Sequence, residues 1–127
     1  MGNINSIPNN LYNFENMQNA INNNYIIINT LSETNQHCLI NGTISIDNEV
    51  NVINNYLKSD KNKPIIIYGK NSSDISVINK YKQLTNLGFK NVNIYQGGMF
   101  EWLLLQDVYG NEHFVTTSQE VDILKYK

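Results

Sequence analysis

Arginine is absent from the 127-residue chain, and its nine lysines are scattered rather than clustered. Eleven acidic residues bring the formal net charge to −2. A protein that binds nucleic acid needs a clustered basic face to neutralise phosphates. The composition therefore excludes nucleic acid as a partner.

Cysteine and histidine are scarce as well. The single cysteine, Cys38, excludes an internal disulfide and a cysteine-based metal cluster, and it favours a reducing compartment. His37 and His113 have no carboxylate or second histidine at ligand spacing, so we expect surface or packing roles, no metal and no cofactor. No apolar run approaches about 18 residues, so neither a transmembrane helix nor a signal peptide is predicted.

Asparagine is the residue in excess, with 24 copies among the 127 residues. Isoleucine, lysine and tyrosine are also frequent, and these residue types share A/T-rich codons. We therefore interpret the bias as a property of the genome rather than of the protein's function. It is compatible with a parasite or a large DNA virus as the source. The length fits one domain with a sizeable core.

Residues 1–12 are predicted to form a flexible N-terminal arm, and residues 13–127 the folded domain. The arm is rich in asparagine, contains Pro8 and has no apolar period. It opens Met-Gly-Asn-Ile-Asn-Ser, so Gly2 and Ser6 fit the N-myristoylation pattern, with a chance match as the alternative. No polybasic segment reinforces a lipid, so the chain would bind a membrane only if Gly2 is acylated, and then marginally.

The most informative stretch covers residues 64–102. Ile-Ile-Ile-Tyr at 65–68 predicts a strand buried on both faces, and the polar loop 69–73 follows it. Asp74 is expected to cap a helix that Gly88 ends. A second strand at 92–95 completes a parallel crossover, and Gly97-Gly98 leads into a helix. Trp102 of this helix is expected in the core, with a binding contact as the alternative. The apolar face of the first helix is predicted from the spacing of Ile75, Ile78, Tyr81, Leu84 and Leu87.

The flanking segments extend this pattern of alternating helices and strands. A helix at 14–24 capped by Asn13, a strand at 25–29, an edge strand at 43–46 and a helix capped by Asp47 or Asn48 are predicted. After Trp102 we expect the helix to continue through Leu105, followed by a surface loop at 107–112. An extended segment at 113–117 and a terminal helix at 118–126, with Val121 and Leu124 inward, are expected to close the chain.

Several short matches identify a family. The Ile-Ile-Ile-Tyr strand, Leu-Gly-Phe at 87–89, Asn91-Val92, and Gly97-Gly98 with Trp102 four residues later resemble the rhodanese-like (sulfurtransferase) family. The similarity runs from Phe14 to about Gln106. It implies a single α/β rhodanese-like domain, with a mostly parallel sheet of about five strands and helices on both faces.

The chain departs from this family at its chemical positions. The family carries a persulfide on a cysteine directly after the central strand, and Gly69 stands there. An arginine often ends the loop five residues later, where this chain has Asp74. Asn29, Thr30 and Leu31 replace a family aspartate and arginine, and Leu39 replaces a histidine. The sequence therefore keeps the frame of the family without its nucleophile.

The candidate site is the loop after the central strand, and it allows two interpretations. A helix N-terminus with Lys70 nearby favours an anion, whereas Asp74 opposes one, so ordinary helix capping is the alternative. A phosphate loop is excluded because the required glycine spacing is missing, and cysteine-dependent phosphatase chemistry because the loop has neither thiol nor arginine. The residues concerned are Gly69, Lys70, Asn71, Ser72, Ser73 and Asp74.

Cys38 is the remaining candidate nucleophile, since it neighbours His37. Adjacent residues in an extended segment point to opposite sides, so we expect a structural thiol. We therefore hypothesise a rhodanese-like module without catalysis that acts through a protein partner or self-association, in a cytoplasm or a virion. The alternative is a residual sulfurtransferase or small-anion-binding enzyme that uses residues 69–74.

Overall fold

The computed structural model describes residues 10–127. Its centre is a four-stranded sheet in the order β1-β4-β3-β2, and every pair of neighbouring strands is parallel. The strands are β1 (Leu11–Tyr12), β2 (Ile26–Asn29), β3 (Ile65–Tyr68) and β4 (Val92–Tyr95). The helices are α1 (Phe14–Asn22), α2 (Ile46–Ser59), α3 (Ile75–Leu87) and α4 (Gly98–Tyr109), with 3₁₀ turns at Glu33–Asn35 and Ile123–Tyr126.

Strand β3 is the middle of the core, and all four of its side chains are buried. Alternate residues of a strand face opposite sides, so Ile66 packs with α1 and α4 while Ile65 and Ile67 pack with α2 and α3. Burial on both faces of the sheet explains why the sequence of β3 is a continuous apolar run. The predicted α/β arrangement with helices on both faces is confirmed.

The predicted ends of the central helix are confirmed. Asp74 is the N-cap of α3, and Gly88 ends the helix at φ 112°, a left-handed conformation that favours glycine. Asn13 likewise caps α1 through a reciprocal pair of bonds with Asn16, at 2.8 and 3.0 Å.

Three predicted boundaries in the sheet and in α2 are wrong. The expected fifth strand at 43–46 is reduced to one bridge between Thr43 and Ile27, because the chain turns into α2 at Ile46. Ser45, rather than Asp47 or Asn48, is the N-cap residue of α2, and Asp47 lies in the first turn, where the helix dipole favours an acid. At the other edge, Leu11–Tyr12 lies within the predicted arm and forms β1; Met1, Gly2 and Pro8 lie outside the described residues.

The C-terminal segment also differs from its prediction. Helix α4 continues to Tyr109, through part of the expected loop, and Gly110 ends it. The terminal helix predicted at 118–126 is only a 3₁₀ turn, and Val121 and Leu124 are 81% and 63% exposed. Thr117 and Ser118 instead form hydrogen bonds with His37 and Leu39, so their polar groups are not available to a helix.

The apolar face predicted for α3 is correct only in part. Leu84 is buried and Ile78 and Tyr81 are partly buried, while Ile75 and Leu87 are exposed. Ile75 and Leu87 are the first and last residues of α3, so they lie beyond the part of the helix that packs on the sheet. Val77, which the predicted face omits, is buried in their place.

Candidate functional site

The loop formed by residues 69–74 lies at the carboxyl end of β3, where open parallel sheets place their ligand sites. The N-terminus of α4 holds it in place. The Gly69 and Lys70 carbonyl oxygens accept hydrogen bonds from the Met99 and Phe100 amides, each at 2.9 Å. Gly98 permits this approach, since a Cβ there would lie 2.8 Å from the Gly69 oxygen.

The carboxylate of Asp74 occupies the inside of the loop. Its Oδ2 accepts a bond from the Lys70 amide at 2.9 Å. Its Oδ1 accepts bonds from the amide and the hydroxyl of Ser76, at 3.0 and 2.6 Å. Charge-assisted bonds of this kind are short and strong. The backbone amides that a helix N-terminus could offer to a bound anion therefore donate to the Asp74 carboxylate instead.

Gly69 is enclosed by its neighbours. A Cβ at this position would lie 2.5 Å from Asp74 Oδ2, 2.5 Å from Val77 Cγ2 and 2.7 Å from Thr30 Oγ1. Real Cβ contacts essentially never fall below 3.0 Å. The space into which a side chain at the first loop position would project is therefore filled.

The other predicted site residues do not converge on a common point. Lys70, Ser72 and Ser73 are exposed. Asn71 Oδ1 accepts a bond from the Ser73 amide at 2.9 Å, and Asn71 Nδ2 donates to the backbone oxygen of Tyr126, also at 2.9 Å. The Asn71 side chain therefore ties the loop to the C-terminal turn.

A cleft of about 510 Å³ opens beside the loop. Its walls come from the start of the described chain, the loop, and the first two turns of α4. Its residues are Leu11, Tyr12, Asn13, Asn71, Ser72, Gln96, Gly97, Phe100, Glu101 and Leu104. Glu101 is the single charged residue among the described residues of this lining, so the lining is acidic.

Comparison with known proteins identifies the fold. A family model described as Rhodanese-like domain matches residues 12–105, well over half of the chain. The chain belongs to the rhodanese-like domain family. A search of curated proteins finds no match.

Solved structures agree with this family membership. A crystal structure of the Alr3790 protein from Anabaena sp. is 17% identical and superimposes with a TM-score of 0.60, covering 90% of this chain and 97% of that one. The BH2092 protein from Bacillus halodurans is 18% identical with a TM-score of 0.59, over 80% of this chain and 74% of the other. At these identities the likeness shows the fold.

Cys38 of this rhodanese-like domain is fully buried, and its Sγ donates to the Ser118 backbone oxygen at 3.2 Å. The predicted structural thiol is confirmed. His37 Nε2 lies 2.8 Å from Glu120 Oε1, and both His37 and His113 are exposed, so the two histidines lie at the surface. Residues 10–127 contain no group of three or more His, Cys, Asp or Glu that could hold a metal ion. No helix among them is both long and apolar enough to span a membrane.

The tail beyond the family match, residues 106–127, packs beside the loop. Tyr126 is fully buried, and burial raises the pKa of its hydroxyl to about 12. Glu120 pairs with Lys125, and this hydrogen bond is the largest of several contacts that lower the pKa of Glu120 from 4.5 to about 2. The backbone amide of Asp122 and the side chain of His37 contribute further.

Sequence reasoning did not find a pair in which Glu101 lines the cleft and Tyr95 lies buried behind it. Tyr95, at the end of β4, is 1% exposed and donates its hydroxyl to Glu101 Oε1 at 2.6 Å. Burial first, and this bond second, raise the pKa of Tyr95 above its ordinary value. The two residues lie on either side of the Gly97-Gly98 turn, and that turn was the available signal that residues 95 and 101 approach each other.

Proposed function

We propose that this rhodanese-like domain does not transfer sulfur and acts by binding a protein partner. One observation carries the proposal. Gly69 stands where the family has its persulfide cysteine, and the space beside it is filled by Asp74, Val77 and Thr30. The loop therefore supplies neither a sulfur nor room for one.

The alternative thiol is unsuited to replace the missing nucleophile. Cys38 is the single cysteine of the chain, is fully buried, and donates to a backbone oxygen. A persulfide carrier must expose its sulfur to a donor and an acceptor, and Cys38 is not exposed. Cys38 is thus a component of the core.

Binding of a small anion in the loop is the second candidate, and Asp74 opposes it. The carboxylate already accepts three hydrogen bonds in the position an anion would take. A second negative charge placed there would meet repulsion at short range. Lys70 favours an anion, but its side chain is exposed and its attraction is screened by solvent.

The surface beside the loop supports a binding role. Leu104 and Val108 lie one turn apart on α4 and are 41% and 70% exposed, and Leu11 lines the same cleft as Leu104. Exposed apolar residues next to a cleft favour a protein contact, either with another protein or with a second copy. We place this function in a cytoplasm or a virion, with a membrane role only if Gly2 is acylated.

Thiocyanate formation from thiosulfate and cyanide tests the loss of sulfur transfer. We expect no turnover from the wild type at micromolar enzyme, with an active rhodanese as the positive control. Turnover that Cys38→Ser abolishes would assign the chemistry to Cys38. Turnover that survives Cys38→Ser would contradict our interpretation of the site. Titration with sulfate, followed by the backbone amide signals of residues 69–74, tests anion binding, and saturable shifts would favour the alternative.

Cross-linking in native extracts tests the binding role. The loop and the C-terminal turn are expected to carry the links, whereas the lysines at the end of α2 and before β3 should carry fewer. An even spread over all lysines would argue against an interaction face. The first group is Lys70, Lys125 and Lys127, and the second is Lys58, Lys61 and Lys63.

A further inference from the structure

The cleft beside the loop contains a carboxylate in a fixed position. Tyr95 is 1% exposed and its hydroxyl donates to Glu101 Oε1 at 2.6 Å. A buried hydroxyl without a partner is costly, so the pair holds the Glu101 side chain in place. Among residues 10–127, Tyr95 is the one hydrogen-bond partner of this carboxylate, so most of its acceptor capacity is unused.

Gly97 leaves space for the Glu101 carboxylate. Its backbone has φ −65° and ψ −29°, a conformation open to any residue, so the dihedral angles do not require glycine. A Cβ at Gly97, however, would collide with the Glu101 carboxylate. The absence of a side chain at residue 97 therefore lets Glu101 fold back toward Tyr95.

Apolar surface lies next to the charge. Phe100 and Leu104 are one turn apart on α4, and Leu11 of β1 also lines the cleft. Within the part of the chain that the structure describes, no lysine, arginine or histidine lines it. A ligand that fits would combine a positive charge with apolar groups, because burial of apolar surface and ion pairing then act together.

The Glu101 carboxylate oxygen that remains free indicates which type of cation fits the cleft. Arginine prefers a carboxylate with both oxygens available for its planar fork, and here Tyr95 already occupies Oε1. An ammonium is a compact charge with three donors, and its alkyl stem can lie along an apolar wall. Glu101 is an acceptor for such a group, and Gln96 and Tyr12 line the same cleft.

We propose that the cleft beside the 69–74 loop binds an alkylammonium group flanked by apolar side chains, in the form of a lysine in the protein partner. This inference rests on the binding role proposed above and specifies its site. Residues that position or contact the ammonium are Glu101, Tyr95 and Gly97, with Leu104 and Phe100 as the apolar wall.

The probe is the peptide acetyl-Leu-Lys-Leu-amide, titrated into the full chain and followed by amide signals in two-dimensional NMR. We expect saturable shifts at Gln96 and Leu104. The same peptide with an acetylated lysine should bind about tenfold more weakly, the effect expected for losing one charged hydrogen bond. Butylammonium alone should bind more weakly than the peptide. Equal affinity for butylammonium and the peptide would overturn the assignment to a peptide lysine, and equal affinity for both peptides would overturn the proposal.

Three variants separate charge from position. Glu101→Gln keeps an acceptor for Tyr95 but loses the charge, and we expect about tenfold weaker binding. Gly97→Ala keeps the charge but displaces it, and a similar loss is expected in a folded variant. Glu33→Gln, at an exposed carboxylate in the first 3₁₀ turn, is the matched control and should bind like wild type.

Unchanged affinity in Glu101→Gln would refute the site. If Gly97→Ala fails to fold, Tyr95→Phe serves in its place, because it removes the hydroxyl that positions the carboxylate. Absence of peptide binding would remove this assignment alone, since cross-linking tests the binding role independently and the thiocyanate assay tests the loss of sulfur transfer.

Discussion

Gly69→Ala is the sharpest test of how the loop is filled, because it adds one methyl group and nothing else. The new Cβ would lie 2.5 Å from Asp74 Oδ2 and 2.5 Å from Val77 Cγ2. The carboxylate can rotate away, but Val77 is a buried, β-branched residue of α3 with little freedom to move. The methyl group must therefore displace part of the loop or the start of the helix.

The expected loss follows from two contributions. Overpacking a filled site costs roughly 1 to 3 kcal/mol. Rotation of the Asp74 carboxylate also removes the N-cap bond of α3, which is worth about 1 kcal/mol. We therefore expect Gly69→Ala to lower the free energy of unfolding by about 2 to 4 kcal/mol.

Urea unfolding followed by circular dichroism measures this loss, with Asp74→Ala and the double variant completing a cycle. The double variant should lose about 1 kcal/mol less than the sum of the single variants, because one of the close contacts disappears with the carboxylate. Ser73→Ala, at an exposed residue of the same loop, is the control and should change stability by less than about 0.5 kcal/mol. A Gly69→Ala variant as stable as this control would refute the filled-loop interpretation.

Three further predictions address the core, the tail and the N-terminus. Trp102→Ala, at a fully buried residue, should cost about 3 to 5 kcal/mol in the same unfolding assay, whereas Tyr109→Ala at an exposed aromatic should cost under about 1 kcal/mol; equal losses would contradict the packing. Glu120 has a folded pKa of about 2 against an ordinary 4.5, so its stabilisation is present above pH 4.5 and is lost as pH falls toward 2. Unfolding free energies of wild type and Glu120→Gln should therefore converge on acidification, and a constant gap would argue against the Lys125 pair. If Gly2 is myristoylated, the intact mass from a myristoylating host should exceed that of Gly2→Ala by one acyl chain, and an unmodified mass would remove the membrane hypothesis.

The central crossover could be predicted because its signals are local. Pro64 and a four-residue apolar run mark β3, Asp74 and Gly88 mark the ends of α3, and each follows from backbone chemistry within a few residues. The C-terminal segment had no such signals. Its conformation depends on bonds to His37 and Cys38, about 80 residues earlier, which no periodicity can reveal.

The position of the loop after β3 was predicted from the sequence, but the arrangement of its side chains was not. The loop and its missing cysteine follow from the position after β3, and Asp74 was identified as a cap. That its carboxylate also fills the loop depends on the side-chain conformation across four residues. The pairing of Tyr95 with Glu101 depends on the turn geometry at Gly97, so neither feature follows from the sequence alone.

Restoring the family residues is a final test of how far the loop has diverged. In Gly69→Cys with Asp74→Arg, the thiol returns and the close contact with Asp74 disappears. The contacts of the new Cβ with Val77 Cγ2 and Thr30 Oγ1, at 2.5 and 2.7 Å, remain. The backbone also stays held by the bonds to Met99 and Phe100 and by the link from Asn71 to Tyr126.

A persulfide at residue 69 would need space and loop amides that face it. Replacing Asp74 releases the Lys70 amide, but the Ser73 amide still donates to Asn71 Oδ1. We therefore expect the folded double variant to form no thiocyanate above the level of wild type. Adding Val77→Ala should be required before turnover is measurable. It removes the contact between the new Cβ and Val77 Cγ2, which the two other substitutions leave in place and which rotation of a side chain cannot relieve. Turnover in the double variant alone would show that the loop adapts to a cysteine, and that the missing thiol by itself explains the loss of sulfur transfer.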